Sequence, residues 1–432
     1  MTSTLKVDNL QTQDGDSYNV VSWDTTAKTT AFTAVSGKGY FVNTTSGAIT
    51  VTLPASPSAG DIVAVSDYAQ TFDTNNCTLA RNGSNIEGAA SDLVLDAEGL
   101  AINLIYVDAT KGWKVVSAGR EADKTNAEFI SATGGTETTC GNFKIHTFTG
   151  PGTFTVCSVG NSAGSNTVDY LVLAGGGAGG GDEAGTGVAQ SGGGGGAGGI
   201  RVSNGTASGC YTAGPSPLAG PVSALPVSVQ GYPITVGAGG AIAPGCSAGG
   251  SGANSIFSTI TSAGGGGGGG FFPPAVPGAN GGSGGGGTTT TAAGSGNTPP
   301  VSPPQGNDGG GPGTNHAGGG GGLNAGSTSP GPLTGGAGGD GFASSITGSS
   351  VTRAGGGGGG ISGPGPCAPN ATGGAGGAGG GGNGQVSSTT GTPPANGSTN
   401  TGGGGGGGGD AGPNGGTGTG GSGIVIIRYR YQ

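Results

Sequence analysis

The feature that most limits what this chain can fold into is its runs of consecutive glycine. Eight glycines occupy residues 402–409, and similar runs fill 264–270 and 355–360. Glycine has the most backbone entropy to lose on ordering and no side chain to bury, so a conventional core cannot be built from such segments. Of the 112 glycines, 17 fall in the first 174 residues and 95 in the rest. Between 175 and 423 the only charged residues are Asp182, Glu183, Arg201, Asp308, Asp340, Arg353 and Asp410, and no lysine follows Lys144. The chain therefore has two physical regimes.

Residues 39–119 read as an all-β, sandwich-like unit. Ile49, Val51 and Leu53 alternate up to Pro54, Ile62 and Val65 flank a short apolar run, and Leu100, Ile102, Leu104 and Tyr106 alternate before a turn at Lys111 and Gly112 leads into Trp113 and Val115. Period-two alternation bounded by Gly, Pro, Asn and Asp marks half-buried strands. Residues 1–38 are polar apart from an alternating piece at 5–10 and Trp23, and are predicted to be an extended attachment or oligomerisation segment. Residues 120–137 read as a linker, and 138–174 as a β hairpin followed by a strand leading into the glycine region. In that hairpin FKIHTF and TFTVCSV are joined by TGPG, a turn signal, and His146, in step with Lys144, is predicted to face solvent.

The glycine region, 175–423, is bracketed by the apolar strands 168–173 and 424–431, the closing strand being assigned to 424–432. Brackets able to pair argue for a closed domain rather than a flexible spacer. Inside them only 227–236 and 255–262 read as strands. Collagen is excluded because segments such as GGAGGAGGGG break the every-third-residue period. The remaining solution is polyglycine II: extended three-per-turn helices packed side by side, each backbone N–H and C=O pairing with a neighbour. The expected fold is an all-β N-terminal part and a C-terminal polyglycine II helix bundle closed by two apolar strands, with the non-glycine loops as turns at the bundle ends.

The net charge of −9 is concentrated before the glycine region and offers no basic footprint for nucleic acid. No apolar run approaches the length of a membrane span, and the start lacks the basic and apolar regions of a signal peptide, which predicts synthesis in a cytosol. The six cysteines form no CxxC and there are two histidines, so no metal and no cofactor is expected. Cys140 and Cys157 flank the predicted hairpin and either pair in an oxidising setting or remain idle thiols.

Catalytic motifs match cheaply in such a sequence. Residues 281–285 fit GxSxG, with Asp308 and His316 following in hydrolase order, but the strand and helix that a nucleophile elbow needs are missing. Residues 335–343 fit a calcium nonapeptide once, where stacked copies are required. No enzyme is expected. Phe271 and Phe272 form either a plug between helices or an exposed contact; together with Tyr211 and Tyr232 they are the candidate contact residues, since aromatics favour interfaces.

Several segments are similar to bacteriophage tail-fibre or adhesin proteins with a C-terminal glycine-rich domain, found in phages of aquatic bacteria and cyanobacteria. They are STLKVDNLQT, YFVNTTSGAITVTLPASPSAGDIVAVSDYAQTF with NGSNIEG and YVDATKGWKVVS, ATGGTETTCGNFKIHTFTGPGTFTV, TVDYLVLAGGGAGGG, LPVSVQGYPITVGAGG, SIFSTITSAGGGGGGG and the terminal GGSGIVIIRYRYQ. The resemblance implies a virion protein made in the host cytoplasm, whose N-terminal part attaches to other phage tail proteins, often as a homotrimer. It also implies that loops of the glycine-rich domain bind a host cell-surface receptor, protein or polysaccharide. Other readings are a purely structural fibre-shaft or decoration protein, an ice-binding polyglycine II protein, and a depolymerase.

Overall fold

The computed structural model describes residues 21–119, 127–161, 164–182, 191–205, 207–209, 211–212, 222–242, 244–271, 274–313, 316–323, 334–361, 371–385, 392–409 and 416–432. Among them there is no α-helix. The chain divides into two compact units, Met1–Asn126 and Ala127–Gln432.

In the first unit the chain shuttles between two sheets. Strands β1 (Ser22–Lys28), β3 (Lys38–Val42) and β5 (Ile62–Asp67) lie parallel in one, and β2 (Phe32–Thr33), β4 (Ile49–Thr52) and β6 (Cys77–Ala80) lie parallel in the other. The second sheet ends on β7 (Leu93–Leu95), antiparallel to β6; the first ends on the hairpin β8 (Ala101–Asp108) and β9 (Gly112–Gly119). The alternation explains the packing: Ile49, Val51, Val63, Val65, Leu79, Ile102, Leu104 and Trp113 from both sheets share one buried cluster. The described part of the predicted attachment segment is not separate from this unit. Strand β1 pairs with β3 and Phe32 of β2 packs against the core; residues 1–20 lie outside the described residues.

The second unit starts inside the predicted linker, with β10 (Ser131–Thr133) and β11 (Thr136–Cys140). Next come β12 (Phe143–Phe148), β13 (Gly152–Ser158), β14 (Thr167–Leu173), β15 (Ile200–Val202), β16 (Leu225–Pro226), β17 (Gly231–Thr235), β18 (Ser255–Phe257), β19 (Ile260–Ser262), β20 (Phe342–Ser344), β21 (Val351–Arg353) and β22 (Ile424–Arg430). One sheet has the order β11-β12-β22-β14-β15, with β16 also pairing β14; a second is β10-β13-β17-β18-β19, and β20 pairs with β21. The TGPG segment is thus a corner between sheets, not a hairpin turn. Strand β12 pairs with β11 and β22, whereas β13 pairs with β10 and β17.

The two bracketing strands pair directly, Leu173 opposite Ile424 and Asp169 opposite Arg428. They read as continuous apolar runs because their sheet is buried on both faces. Tyr170, Val172, Val425, Ile427 and Tyr429 join the cluster shared with the β13 sheet, while Leu171, Leu173, Ile424 and Ile426 join a second cluster with Ile200, Phe342 and Ile346.

Beyond β14 the chain enters glycine-rich segments that belong to no helix or strand, yet the runs 264–270, 355–360 and 402–409 are buried throughout. Their backbones bond between segments in a fixed rotation. Gly176, Gly177 and Ala178 donate to Gly421, Gly196 and Gly250; Gly179, Gly180 and Gly181 then donate to Gly418, Gly193 and Ser247, each acceptor three residues back along the same three neighbours. The run 402–409 is surrounded. Gly404 and Gly407 donate to Gly355 and Gly358, Gly405 and Gly408 to Gly177 and Gly180, and Gly406 to Ala395. It also accepts from Gly195 and Gly192, from Gly421 and Gly418, and from Gly382 and Gln385. Six neighbouring segments therefore satisfy the buried groups that no segment can satisfy within itself. Side chains are excluded by this closeness: a Cβ on Gly405 would stand 2.5 Å from the carbonyl carbon of Gly418 and 2.6 Å from the Thr419 oxygen.

Candidate functional site

The glycine lattice offers backbone only, so its chemistry resides at its two ends. At the sheet end, side chains brace the lattice on the strands. Asp169 is fully buried and accepts from Ser203 Oγ at 2.7 Å and from the Ser208 N–H and Oγ at 2.7 and 2.6 Å. Beside it the Arg428 guanidinium lies 4.4 Å from the Phe143 ring and 5.4 Å from the Tyr211 ring, and donates to the Ile346 carbonyl at 3.1 Å. Gln305, 1% exposed, accepts from the Ala263 N–H and donates to the Pro299 carbonyl.

The opposite end of the lattice brings together Ser191, His316, Ile361, Gln385 and Gly409, with Phe271 on the Gly181 carbonyl. Isolated bridges tie Ser191 to Gly409, His316 to Ile361 and Gly270 to Val276. The Gln385 side chain accepts from the Gly409 N–H at 3.0 Å, closing the end of the longest glycine run. Asp182, Ser191, His316 and Gln385 are buried, while Val276 is exposed and Phe271 half-buried, its N–H on the Gly181 carbonyl at 3.2 Å.

Of the three aromatic contact candidates among the described residues, Phe271 lies at this end; Phe272 lies outside the described residues. Tyr232 is 7% exposed in the sandwich core, its hydroxyl accepting from the Ser228 N–H at 2.8 Å. Tyr211 packs against the second cluster, bonded through its hydroxyl to Ser203, and burial pushes its pKa up. Tyr232 is thus part of the core between the sheets, and Tyr211 is half-buried against the second cluster.

Cys140 and Cys157 are both free, on β11 and β13 of different sheets, so the hairpin geometry that would have favoured the pairing alternative over idle thiols is not present. Burial pushes the Cys77 thiol up to about 12, leaving it inert. His146 does not face solvent; it is fully buried. The GxSxG serine gives no triad. Ser283 donates to the Gly322 carbonyl and Asp308 accepts from the Gly296 N–H, whereas His316 is bridged to Ile361. Asp340, from the calcium-like motif, accepts from the Ala378 N–H at 2.8 Å. Among the described residues no group of three or more His, Cys, Asp and Glu is placed to hold a metal ion, and no helix is long and apolar enough to cross a membrane.

Residues 147–430, well over half of the chain, match the family described as a glycine-rich domain. The chain belongs to that family. No curated protein matches the chain. The glycine-rich domain so bounded begins in β12 and ends in β22, which pair with each other at Thr147 and Ile426. Its limits therefore include the strands that close the lattice as well as the glycine runs.

Proposed function

We propose that this chain is a bacteriophage tail-fibre protein that adsorbs the virion to a host cell surface through the end of its glycine-rich domain that lies opposite the sheets. In this reading the lattice is a bundle of polyglycine II helices. Two features support that assignment: the three-residue rotation of hydrogen-bond partners and the six neighbours around residues 402–409. At roughly 3.1 Å per residue such a run extends about 25 Å.

The observation that carries the functional reading is the asymmetry of the lattice. One end is fixed to sheets through Asp169, Arg428 and Gln305, and at the other lie Ile361, Gln385 and Gly409, after which the sequence turns from glycine runs to the mixed segments 362–370, 386–391 and 410–415, the first two rich in Ser, Thr, Pro and Asn. A backbone-only scaffold tolerates changes in those connections without repacking a core. Several weak contacts per copy, multiplied across a homotrimer and several fibres, would give avidity.

The test is adsorption. Purified full-length protein should compete with virions for host cells, and exchanging 362–370, 386–391 and 410–415 for unrelated sequences of equal length should abolish competition while the melting temperature is kept. Competition that survives all three exchanges places the contact elsewhere. Absence of competition by the unaltered protein favours a fibre shaft or decoration role instead.

A further inference from the structure

His146 lies beneath the place where the chain first crosses between the two larger sheets of the second unit. The chain leaves β10, which pairs with β13, bends at Gly134 and Gly135, and enters β11, which pairs with β12. The bend is tight: Gly134 has φ +112° and Gly135 φ +63°, and a Cβ on Gly135 would stand 2.7 Å from the Thr147 oxygen. Beneath it His146 of β12 is 0% exposed, its Nδ1 2.7 Å from the Gly134 oxygen and its Nε2 3.1 Å from the Tyr429 hydroxyl. Its ring stacks on Tyr429 at 5.6 Å and meets the Phe154 ring edge-on at 5.1 Å.

These contacts fix the proton. A carbonyl only accepts, so Nδ1 carries the hydrogen and Nε2 accepts from the Tyr429 O–H. The neutral ring thus links the Gly134 carbonyl to the Tyr429 hydroxyl, pinning the crossing onto β12 and β22. A second proton on Nε2 turns an acceptor into a donor, forces the Tyr429 hydroxyl hydrogen away, and places a charge in the core.

The surroundings do little to offset that charge. From β11 Glu137 is the facing carboxylate, with Oε2 3.9 Å from Nε2, but it is 40% exposed and already paired with Lys144 at 2.7 Å. Lys144, on the same strand as His146, opposes protonation. Strand β22 contributes Tyr429, while its Arg428 and Arg430 lie over Phe143 and Phe129. Strands β10 and β13 carry no Asp, Glu, Lys, Arg or His.

We propose that His146 is an acid-released latch: neutral, it fastens the 132–135 crossing to β12 and β22, and protonation frees β10 and β11 while the rest of the unit stays folded. Burial, opposed by the Gly134 bond and Glu137, holds the histidine below its ordinary 6.5 in the closed state. A depressed value means that the latch is fully engaged above 6.5 and weakens as pH falls from there towards the closed-state value. Over that window, opening of the crossing should rise about tenfold per pH unit for one proton taken up.

The experiment is hydrogen exchange on the full chain between about pH 7.5 and about pH 5, corrected for intrinsic exchange rates. The wild type should lose protection over 131–140 at the stated slope, with β14 and β22 unchanged, and H146Q should show no such pH dependence. The same acid-driven loss in H146Q, or a wild type whose protection does not move, overturns the latch. Because H146Q removes a buried ring, the wild-type His146 resonance is also titrated by NMR, with H316Q assigning the two histidines. The ring must titrate below the ordinary histidine range, at the pH where the loss of protection levels off; titration at or above that range refutes the proposal even if the variant does not fold.

Discussion

Placing a side chain on Gly405 is the sharpest perturbation of the glycine lattice. In Gly405→Val, Cβ would stand 2.5 Å from the Gly418 carbonyl carbon and 2.6 Å from the Thr419 oxygen, before the two methyl groups are counted. Restoring van der Waals separation requires the 402–409 and 416–423 segments to part by about 1 Å or more. Parting breaks the two bonds between them nearest Gly405, Gly421 N–H to Gly403 O at 2.8 Å and Gly418 N–H to Gly406 O at 2.9 Å. Each buried backbone pair left unmade costs about 1–3 kcal/mol, so the substitution should cost about 2–6 kcal/mol. For a unit of this size that corresponds to a fall in melting temperature on the order of 5–15 °C by calorimetry. Gly311→Ala is the internal control. It adds a Cβ to the same glycine region with nothing within 4 Å, and should change stability by less than about 1 kcal/mol. If Gly405→Val melts with Gly311→Ala, the lattice reasoning is wrong, because a spacer would tolerate both alike.

Two further outcomes follow from the packing. Trp113 is fully buried in the first unit, so Trp113→Ala should cost about 3–5 kcal/mol, read by chemical denaturation. Trp113→Phe should cost much less, since the indole Nε1 has no hydrogen-bond partner among the described residues; equal costs would contradict that packing. Cys140 and Cys157 are free and on different sheets, so non-reducing peptide mapping should find no link between them and reductant should leave the melting temperature unchanged. A Cys140–Cys157 peptide would refute this arrangement.

The parts of the fold legible in the sequence were those with apolar periodicity. Ile49, Val51, Ile102 and Leu104 alternate and are buried as expected, and the bracketing strands announced themselves by apolar runs that a sheet buried on both faces requires. Depth and partner choice were not legible. His146 and Lys144 share a strand parity, but parity names a face and not what covers it: Lys144 reaches the surface and pairs with Glu137, while His146 lies under the β10–β11 crossing. The TGPG turn chemistry is the same for a hairpin and for a corner, and the partner that decides between them, β17, is distant in sequence. Short strands such as Ile200–Val202 and Phe342–Ser344 carry too few residues for a period to be read. Tyr211 and Tyr232 were misplaced because an aromatic in a glycine-poor stretch reads the same whether it fills a core or faces a partner.

The most direct test of the account is hydrogen exchange across residues 402–409 in the intact protein. Every glycine from 404 to 408 donates to a neighbouring segment and is buried, so the peptide should be protected to the same degree as β22. Exchange at the rate of an unstructured chain over those residues, with β22 still protected, would contradict the claim that the glycine runs are the load-carrying interior of the domain.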